Sequence, residues 1–226
     1  MPESKVQHPT SNISVGGVVL AGGRSSRMGL PKATLPFGPE LMLQRVVRLL
    51  SSVVSPIVVV AAPTQKLPPL PSDILIAHDV REARGPLEGL SAGLAAIAPH
   101  ADAAYATSCD VPLLQPAFVQ AMIDRMGDAD IAVPVEEEFA HPLAAVYRAS
   151  VLPHIQELLA ADRLRPAFLF NRVTTRRIPV DELRSFDPQL TTLSNLNRPE
   201  DYLAALHEAG LKVDPSIAVT LEKPRT

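Results

Sequence analysis

The feature that most constrains this chain is the alternation of short apolar runs with amphipathic segments over its first 135 residues. GGVVLA (16–21), PIVVVAA (56–62), ILIA (74–77), DAAYATSCD (102–110) and DIAVPV (130–135) are too short for helices, and the runs are rich in β-branched and small residues, so they read as strands. Between them, PELMLQRVVRLLSS (39–52) puts Leu41, Val46, Leu49 and Leu50 on one helical face and its arginines on the other. PLEGLSAGLAAIA (86–98), with Pro86 in its first turn, and PAFVQAMIDRM (116–126) read as two further helices. Strands joined through helices lie parallel, because a parallel pair needs a long crossover. The predicted fold is therefore three-layer α/β/α with a mostly parallel central sheet. Open sheets of this kind bind ligands outside the carboxyl ends of their strands. Here those ends lead into loops that begin near Ala21, Ala61, Ala77 and Cys109.

The rhythm changes after Val135. EEEFAHPLAAVYR (136–148) reads as a turn between two strands, the second being PLAAVYR. SVLPHIQELLA (150–160) reads as a helix, RPAFLFNRV (165–173) as a short helix and RRIPV (176–180) as a strand. RPEDYLAALHEAG (198–210) has proline at its start, acids in its first turn and glycine at its end, the signals of a complete helix. The expected organisation is a disordered leader (1–14), one domain (15–210) and a loose tail (211–226). Within the domain, the change of rhythm at Val135 separates two parts, 15–135 and 136–210, the second an α+β extension of the first.

Composition narrows the function. Hydrophobic residues make up 46% of the 226 and the net charge is −3, so no overall field points to nucleic acid or an anionic membrane. The single cysteine, Cys109, allows no intramolecular disulfide. The polar start MPESKVQHPTSN lacks the apolar core of a signal peptide, and the apolar stretch VVSPIVVVAAP (53–63) is too short to span a bilayer. A cytoplasmic protein is the expectation.

Any anion site must then be local, and LAGGRSSRMGLPK (20–32) offers one. It is not a P-loop, because Gly29 is followed by Leu-Pro-Lys, and Gly22, Gly23 and Gly29 miss the spacing of a dinucleotide fingerprint. A solvated glycine-rich turn is the plain alternative. Glycines nevertheless let backbone N–H groups approach an anion, and Arg24, Arg27 and Lys32 add the charge that would suit a polyphosphate. A triphosphate brings Mg²⁺, which is held by one or two carboxylates. Asp110, at the end of a predicted strand on the same sheet edge, is the candidate ligand, and Asp79 follows another strand.

These residues carry a family resemblance. LAGGRSSRMGLPK followed by TLPFG resembles the signature of nucleotidyltransferases with a Rossmann-like fold, and most closely that of the molybdenum cofactor guanylyltransferases. HDVREARGPLEGL (78–90), CDVPLL (109–114), HPLAAVYR (141–148) and NLNRPEDYLAAL (195–206) match further family motifs in the same order. The resemblance implies transfer of GMP from GTP to the terminal phosphate of molybdopterin cofactor, with pyrophosphate leaving. It implies nucleotide contacts from Leu20, Ala21, Gly22, Gly23, Arg27, Lys32, Asp79 and Asp110, with Lys32 and Asp110 catalytic and Asp110 holding Mg²⁺. On the acceptor side it implies His141, Arg163, Arg165, Asn195 and Asn197; alternation along an extended segment would put the two asparagines on one face. It also implies transient contact with molybdoenzymes or insertion chaperones.

Two departures keep alternatives open. Ala61-Ala62 stands where the family often has an asparagine. GLPK replaces the GxDK common in the guanylyl branch, and the proline form is frequent in the cytidylyl branch. A cytidylyltransferase for the same cofactor, another nucleotidyltransferase acting on a sugar or lipid phosphate, and a non-catalytic nucleotide sensor or cofactor chaperone are the competing readings. Cys109 has no histidine near it in sequence and reads as a packing residue rather than a nucleophile.

Overall fold

The computed structural model describes residues 13–22, 31–79, 84–215 and 217. The expected leader and tail lie largely outside these residues, and so do Gly23, Arg24 and Arg27 of the glycine-rich loop.

The apolar runs form the strands predicted for them. β1 (Val15–Leu20) is central and pairs in parallel with β4 (Ile57–Ala61) on one side and β6 (Ala103–Ser108) on the other. β5 (Leu75–His78) extends the sheet beyond β4, also in parallel. A short hairpin of β2 (Pro36–Phe37) and β3 (Glu40–Leu41) stands apart as its own two-stranded sheet. The second half of the chain continues the main sheet with β7 (Ile131–Glu136), β8 (Phe139–Ala140), β9 (Ala145–Arg148) and β10 (Thr175–Pro179). The order is β10-β7-β9-β6-β1-β4-β5, with β8 attached to β7. β9 runs antiparallel to both β6 and β7.

Alternation along the buried strands feeds two cores. Val19 of β1, Ile57 and Val59 of β4, and Tyr105 of β6 face α1 (Met42–Ser51) and α3 (Pro116–Asp124). Val18 and Leu20, with Val58, Val60, Ala104 and Ala106, face α2 (Pro86–Ile97) and α4 (Leu152–Ala160). The sheet is thus sandwiched between helices, in the three layers expected. Leu87, Leu90, Leu94 and Ile97 of α2 are almost fully buried, each contributing about 1.5–3 kcal/mol relative to exposure. At Gly93 a methyl group would stand 2.4 Å from Val18 Cγ1, so a bare backbone is needed for this helix to lie so close on β1. A third, smaller core joins Phe37 and Met42 to Tyr202, Ala205 and Leu206 of α6 (Pro199–Glu208).

Three of the boundaries that differ from expectation have a clear local cause. The helix read from residue 39 starts at Met42, because Glu40 and Leu41 pair with Phe37 and Pro36. Gly38, with φ +69°, makes the tight link between those two strands. The strand read over 102–110 stops at Ser108, where Cys109 and Asp110 turn out of the sheet. The strand read from Pro142 starts at Ala145, because a turn closed by the Ala144 N–H on the His141 carbonyl (3.1 Å) precedes it.

Candidate active site

The chain winds outward from β1 to β4 and β5, then returns to lay β6 on the other side of β1. The carboxyl end of β1 is therefore a topological switch point, where the loops diverge and leave a crevice. A cavity of about 360 Å³ lies there. Among its lining residues are Leu20, Ala21 and Gly22 from β1 and its loop, Lys32, Asp79, and Ser108 to Asp110 from the end of β6.

One hydrogen-bonded cluster organises the cavity. Lys32 opens a single 3₁₀ turn (Lys32–Thr34) after the glycine-rich loop, and its Nζ lies 2.7 Å from Asp110 Oδ2. The same ammonium donates to Asn197 Oδ1 at 3.0 Å. The other carboxylate oxygen, Asp110 Oδ1, accepts from the Ser108 hydroxyl and from Asn195 Nδ2 at 2.8 Å. Asn195 Nδ2 also reaches Ser108 Oγ at 3.1 Å. The side chains of Lys32 and Asp110 are only 16% and 13% exposed, so this pair is far less screened than a surface salt bridge.

The backbone explains how residues so distant in sequence meet. The Leu196 N–H donates to the Asp110 carbonyl at 2.9 Å and ties the segment before α6 to the loop after β6. Leu196 turns into the small third core, while Asn195 and Asn197 on either side of it reach the Lys32–Asp110 pair. Helix capping falls to Asp201, whose Oδ2 accepts the backbone N–H groups of Asn197 and Arg198 at 2.9 and 2.8 Å. The Asn197 side chain is thereby left to the site.

Asp79 follows β5 and donates its N–H to the Ala61 carbonyl at 3.1 Å. Its carboxylate sits between two glycines: a methyl group at Gly22 would stand 3.4 Å from Oδ2, and one at Gly89 3.2 Å from Oδ1. Leu20 and Ala21 wall the cavity, while the Leu20 carbonyl accepts from the Cys109 N–H (3.0 Å) and the Ala21 N–H donates to the Val60 carbonyl (2.8 Å).

The remaining acceptor-side residues lie at the margin. His141 is half-buried and precedes the lining residue Leu143 by two positions. Its ring meets the Phe139 ring edge-on with 5.0 Å between centroids. Its Nε2 is buried with no hydrogen-bond partner among the described residues, and burial holds its pKa below the ordinary histidine value against the pull of Glu136. Arg163 and Arg165 are exposed in the turn after α4, where Arg163 covers the Phe168 ring. That turn borders the rim: the Leu164 carbonyl lies 4.0 Å from where a methyl group on the lining residue Gly85 would stand. Cys109 is 5% exposed, and burial, reinforced by Asp110, pushes its thiol up to about 12, which suits a packing residue and not a nucleophile.

Two polar residues of this region escape a reading of the sequence. Ser108 carries a readable signal, a hydroxyl two residues before the strand-end carboxylate. Arg84 lines the cavity while its guanidinium reaches Glu88 (3.5 Å), four residues on, and the Leu159 carbonyl (2.7 Å) and Asp162 (3.1 Å), two partners that only the fold brings near.

Among the described residues no cluster of three histidine, cysteine, aspartate or glutamate side chains forms a ready-made metal cage. Mg²⁺ does not need one, because it keeps several waters and takes one or two carboxylates plus substrate phosphates. Asp110 fits that role: its Oδ2 already holds a cationic group, the Lys32 ammonium, inside the cavity.

A switch-point cavity that pairs the lysine after the β1 loop with the carboxylate after β6, on a sheet of this order, is the arrangement of a nucleotidyltransferase of Rossmann-like fold. Residues 17–176 match the family model for the MobA-like NTP transferase domain, and the chain belongs to that family. It is 32% identical over 209 residues to a probable molybdenum cofactor guanylyltransferase of Methanosarcina mazei, covering 87% of this chain and 92% of that protein. It is 34% identical over 201 residues to the molybdenum cofactor guanylyltransferase of Desulfosudis oleivorans, covering 88% and 96%. Among solved structures, molybdopterin-guanine dinucleotide biosynthesis protein A from Archaeoglobus fulgidus superposes with a TM-score of 0.72 at 19% identity, over 87% of this chain and 98% of that one. The 2-C-methyl-D-erythritol 4-phosphate cytidylyltransferase of Thermus thermophilus superposes at 0.61 with 15% identity, over 87% and 99%, so the fold is shared across nucleotide bases.

Proposed function

We propose that this protein transfers GMP from GTP to the terminal phosphate of molybdopterin cofactor, releasing pyrophosphate and leaving the guanine dinucleotide form. The observation that carries the reading is the Lys32–Asp110 pair bonded on both sides by Asn195 and Asn197. It joins a phosphate-binding cation, a metal-binding carboxylate and the segment read as acceptor-binding in one cluster, and the family relatives supply the substrates.

In the reaction an acceptor phosphate oxygen bonds to the α-phosphorus of GTP, and the bond from that phosphorus to the bridging oxygen breaks. Such transfer rests on in-line positioning and charge stabilisation and needs no protein nucleophile, which fits the inert Cys109. Lys32 exchanges Asp110 for the phosphates and stabilises the charge that gathers on the departing pyrophosphate. Asp110, released from Lys32 but still held through Oδ1 by Ser108 and Asn195, presents Oδ2 for Mg²⁺. What the metal supplies when bound is neutralisation of the phosphate oxygens. Asp79 accepts hydrogen bonds from nucleoside N–H or O–H donors. Asn197, released from Lys32 by the same exchange, turns its amide to the acceptor phosphate, Asn195 keeps its hold on Asp110 beside it, and His141, Arg163 and Arg165 border the approach. Gly23 and Arg27, which the family resemblance also gives to the nucleotide, lie outside the described residues. Transient contact with recipient molybdoenzymes or insertion chaperones in the cytoplasm follows from such a product. Among the described residues no helix is long and apolar enough to cross a membrane.

Thermal shift with Mg²⁺ and each nucleoside triphosphate tests the base, since a ligand that binds only the folded state raises apparent stability. GTP should give the largest rise, and a clear preference for CTP would move the reading to the cytidylyl branch. Pyrophosphate release that survives Asp110→Ala would remove the metal assignment.

A further inference from the structure

The loop after β4 reaches back to the loop after β1 through one side chain. Gln65 Nε2 donates to the Ala21 carbonyl at 2.8 Å, and Gln65 Oε1 accepts the Ala62 N–H at 3.2 Å. A primary amide has one donor end and one acceptor end, and here each closes on a different strand terminus. The Gln65 N–H also bonds to the Ala62 carbonyl (3.0 Å), which fixes the turn that carries the side chain. Ala21 is thereby held on three sides: by Gln65, by its own N–H on the Val60 carbonyl (2.8 Å), and by the Cys109 thiol 3.9 Å from its carbonyl.

What Gln65 fixes is the corner of the cavity farther from Lys32 and Asp110 in strand order. Asp79 follows β5 and Asp110 follows β6, three strand intervals apart, or about 14 Å at the usual spacing. That span matches a nucleotide laid across β1 with its phosphates beside Asp110 and its nucleoside beside Asp79. At the nucleoside end Gly22 sits in a slot: a methyl group there would lie 3.4 Å from Asp79 Oδ2 and 3.5 Å from the Ala62 nitrogen. The walls of the slot are Asp79 and Ala62, and Gln65 clasps Ala62 to Ala21, the residue before Gly22. Leu20 and Val60 add apolar surface beside it.

We propose that Gln65 is a specificity-determining positioning residue for the nucleobase. It does not line the cavity. It acts through Ala21 and Gly22, holding the backbone edge against which the base is read at a fixed distance from Asp79 and Ala62. Specificity is a difference between two affinities, and a fixed slot penalises the base that does not fill it. The inference rests on the reading of the cavity as a nucleoside triphosphate site.

The test titrates Mg²⁺–GTP and Mg²⁺–CTP into the full-length protein and into Gln65→Ala, Gln65→Asn and Gln65→Glu, reading the ratio of the two dissociation constants. Losing the clasp should weaken GTP binding about tenfold, the scale of one neutral hydrogen bond, with CTP binding changed less, so the ratio narrows. Gln65→Asn, one methylene shorter, cannot span both termini and should behave like Gln65→Ala. Gln65→Glu keeps the acceptor for Ala62 but faces the Ala21 carbonyl with a carboxylate, and should narrow the ratio at least as much. An unchanged ratio in Gln65→Ala, or equal weakening of both nucleotides alongside a lower melting temperature, overturns the proposal, since a merely structural role weakens both alike. A wild-type preference for CTP overturns the guanine reading alone, and the change of ratio still decides the role of Gln65. Absence of nucleotide binding by the wild type overturns both.

Discussion

Lys32 and Asp110, separated by 77 intervening residues, form a 2.7 Å ion pair at the mouth of the switch-point crevice. Removing either partner leaves the other charge poorly compensated in a site mostly shielded from water. Lys32→Ala and Asp110→Ala should each lower the melting temperature, and the double variant should recover part of the loss, the signature of direct coupling in a double-mutant cycle. In single-turnover assays Lys32→Ala should slow nucleotidyl transfer by about 10²–10³-fold, the usual cost of losing one preorganised charge-stabilising group. A double variant whose loss equals the sum of the singles would contradict the pairing.

Ser108 should matter to activity more than a strand serine ordinarily would. Its hydroxyl donates to Asp110 Oδ1 and takes Asn195 Nδ2, so it holds the carboxylate at the angle from which Oδ2 is offered to the cavity. A hydrogen bond to a charged group contributes about 1.5–3 kcal/mol, so Ser108→Ala should lose about ten- to a hundredfold in kcat/KM. The Mg²⁺ concentration needed for half-maximal rate should rise with it. Ser108→Thr, which keeps the hydroxyl, should stay near wild type in both readouts.

His141 predicts a pH dependence of stability. Burial lowers its folded pKa below the unfolded value of about 6.5, so between the two values the unfolded chain binds more protons. The stabilisation from the neutral imidazole is complete above about pH 6.5 and is lost as the pH falls through the folded pKa. Melting temperatures measured from pH 7.5 down to pH 5 should decline, and His141→Gln should decline less over the same window. Parallel curves would contradict the assignment.

Cys109 should be chemically silent in the native protein. Its thiol is buried and pushed up to about 12, so almost no thiolate forms near neutrality. A disulfide reagent should label no thiol in the folded chain and one equivalent in denaturant. Rapid native labelling would show that the β6 terminus opens readily.

The parallel half of the fold was legible because its signals are local. Runs such as VGGVVL and IVVVA are buried on both faces, and helices such as 86–97 and 199–208 carry proline at their starts. The place of β9 was not legible. AVYR reads as a strand, but its antiparallel insertion between β6 and β7 depends on partners found only in the folded chain. The Pro36–Leu41 hairpin had a signal in Gly38, masked by the apolar periodicity that begins at Leu41. Within the site, Lys32, Asp79, Asp110, Asn195 and Asn197 were legible as motif residues, and the structure gathers them around one crevice. Gln65 was not legible, because a glutamine in a proline-rich loop acquires meaning only when its amide meets Ala21, 44 residues earlier. The exposure of Arg163 and Arg165 was likewise set by how the turn after α4 packs, which no spacing in DRLRPAF records.

Guanylyl transfer is the activity this crevice should carry. The most direct measurement supplies GTP or CTP labelled at the α-phosphate, with Mg²⁺ and molybdopterin cofactor, and follows label into the dinucleotide together with pyrophosphate release. Label should pass from GTP in stoichiometry with pyrophosphate, with little from CTP and none with Asp110→Ala. Label carried from CTP in preference to GTP, or undiminished transfer by Asp110→Ala, would contradict it.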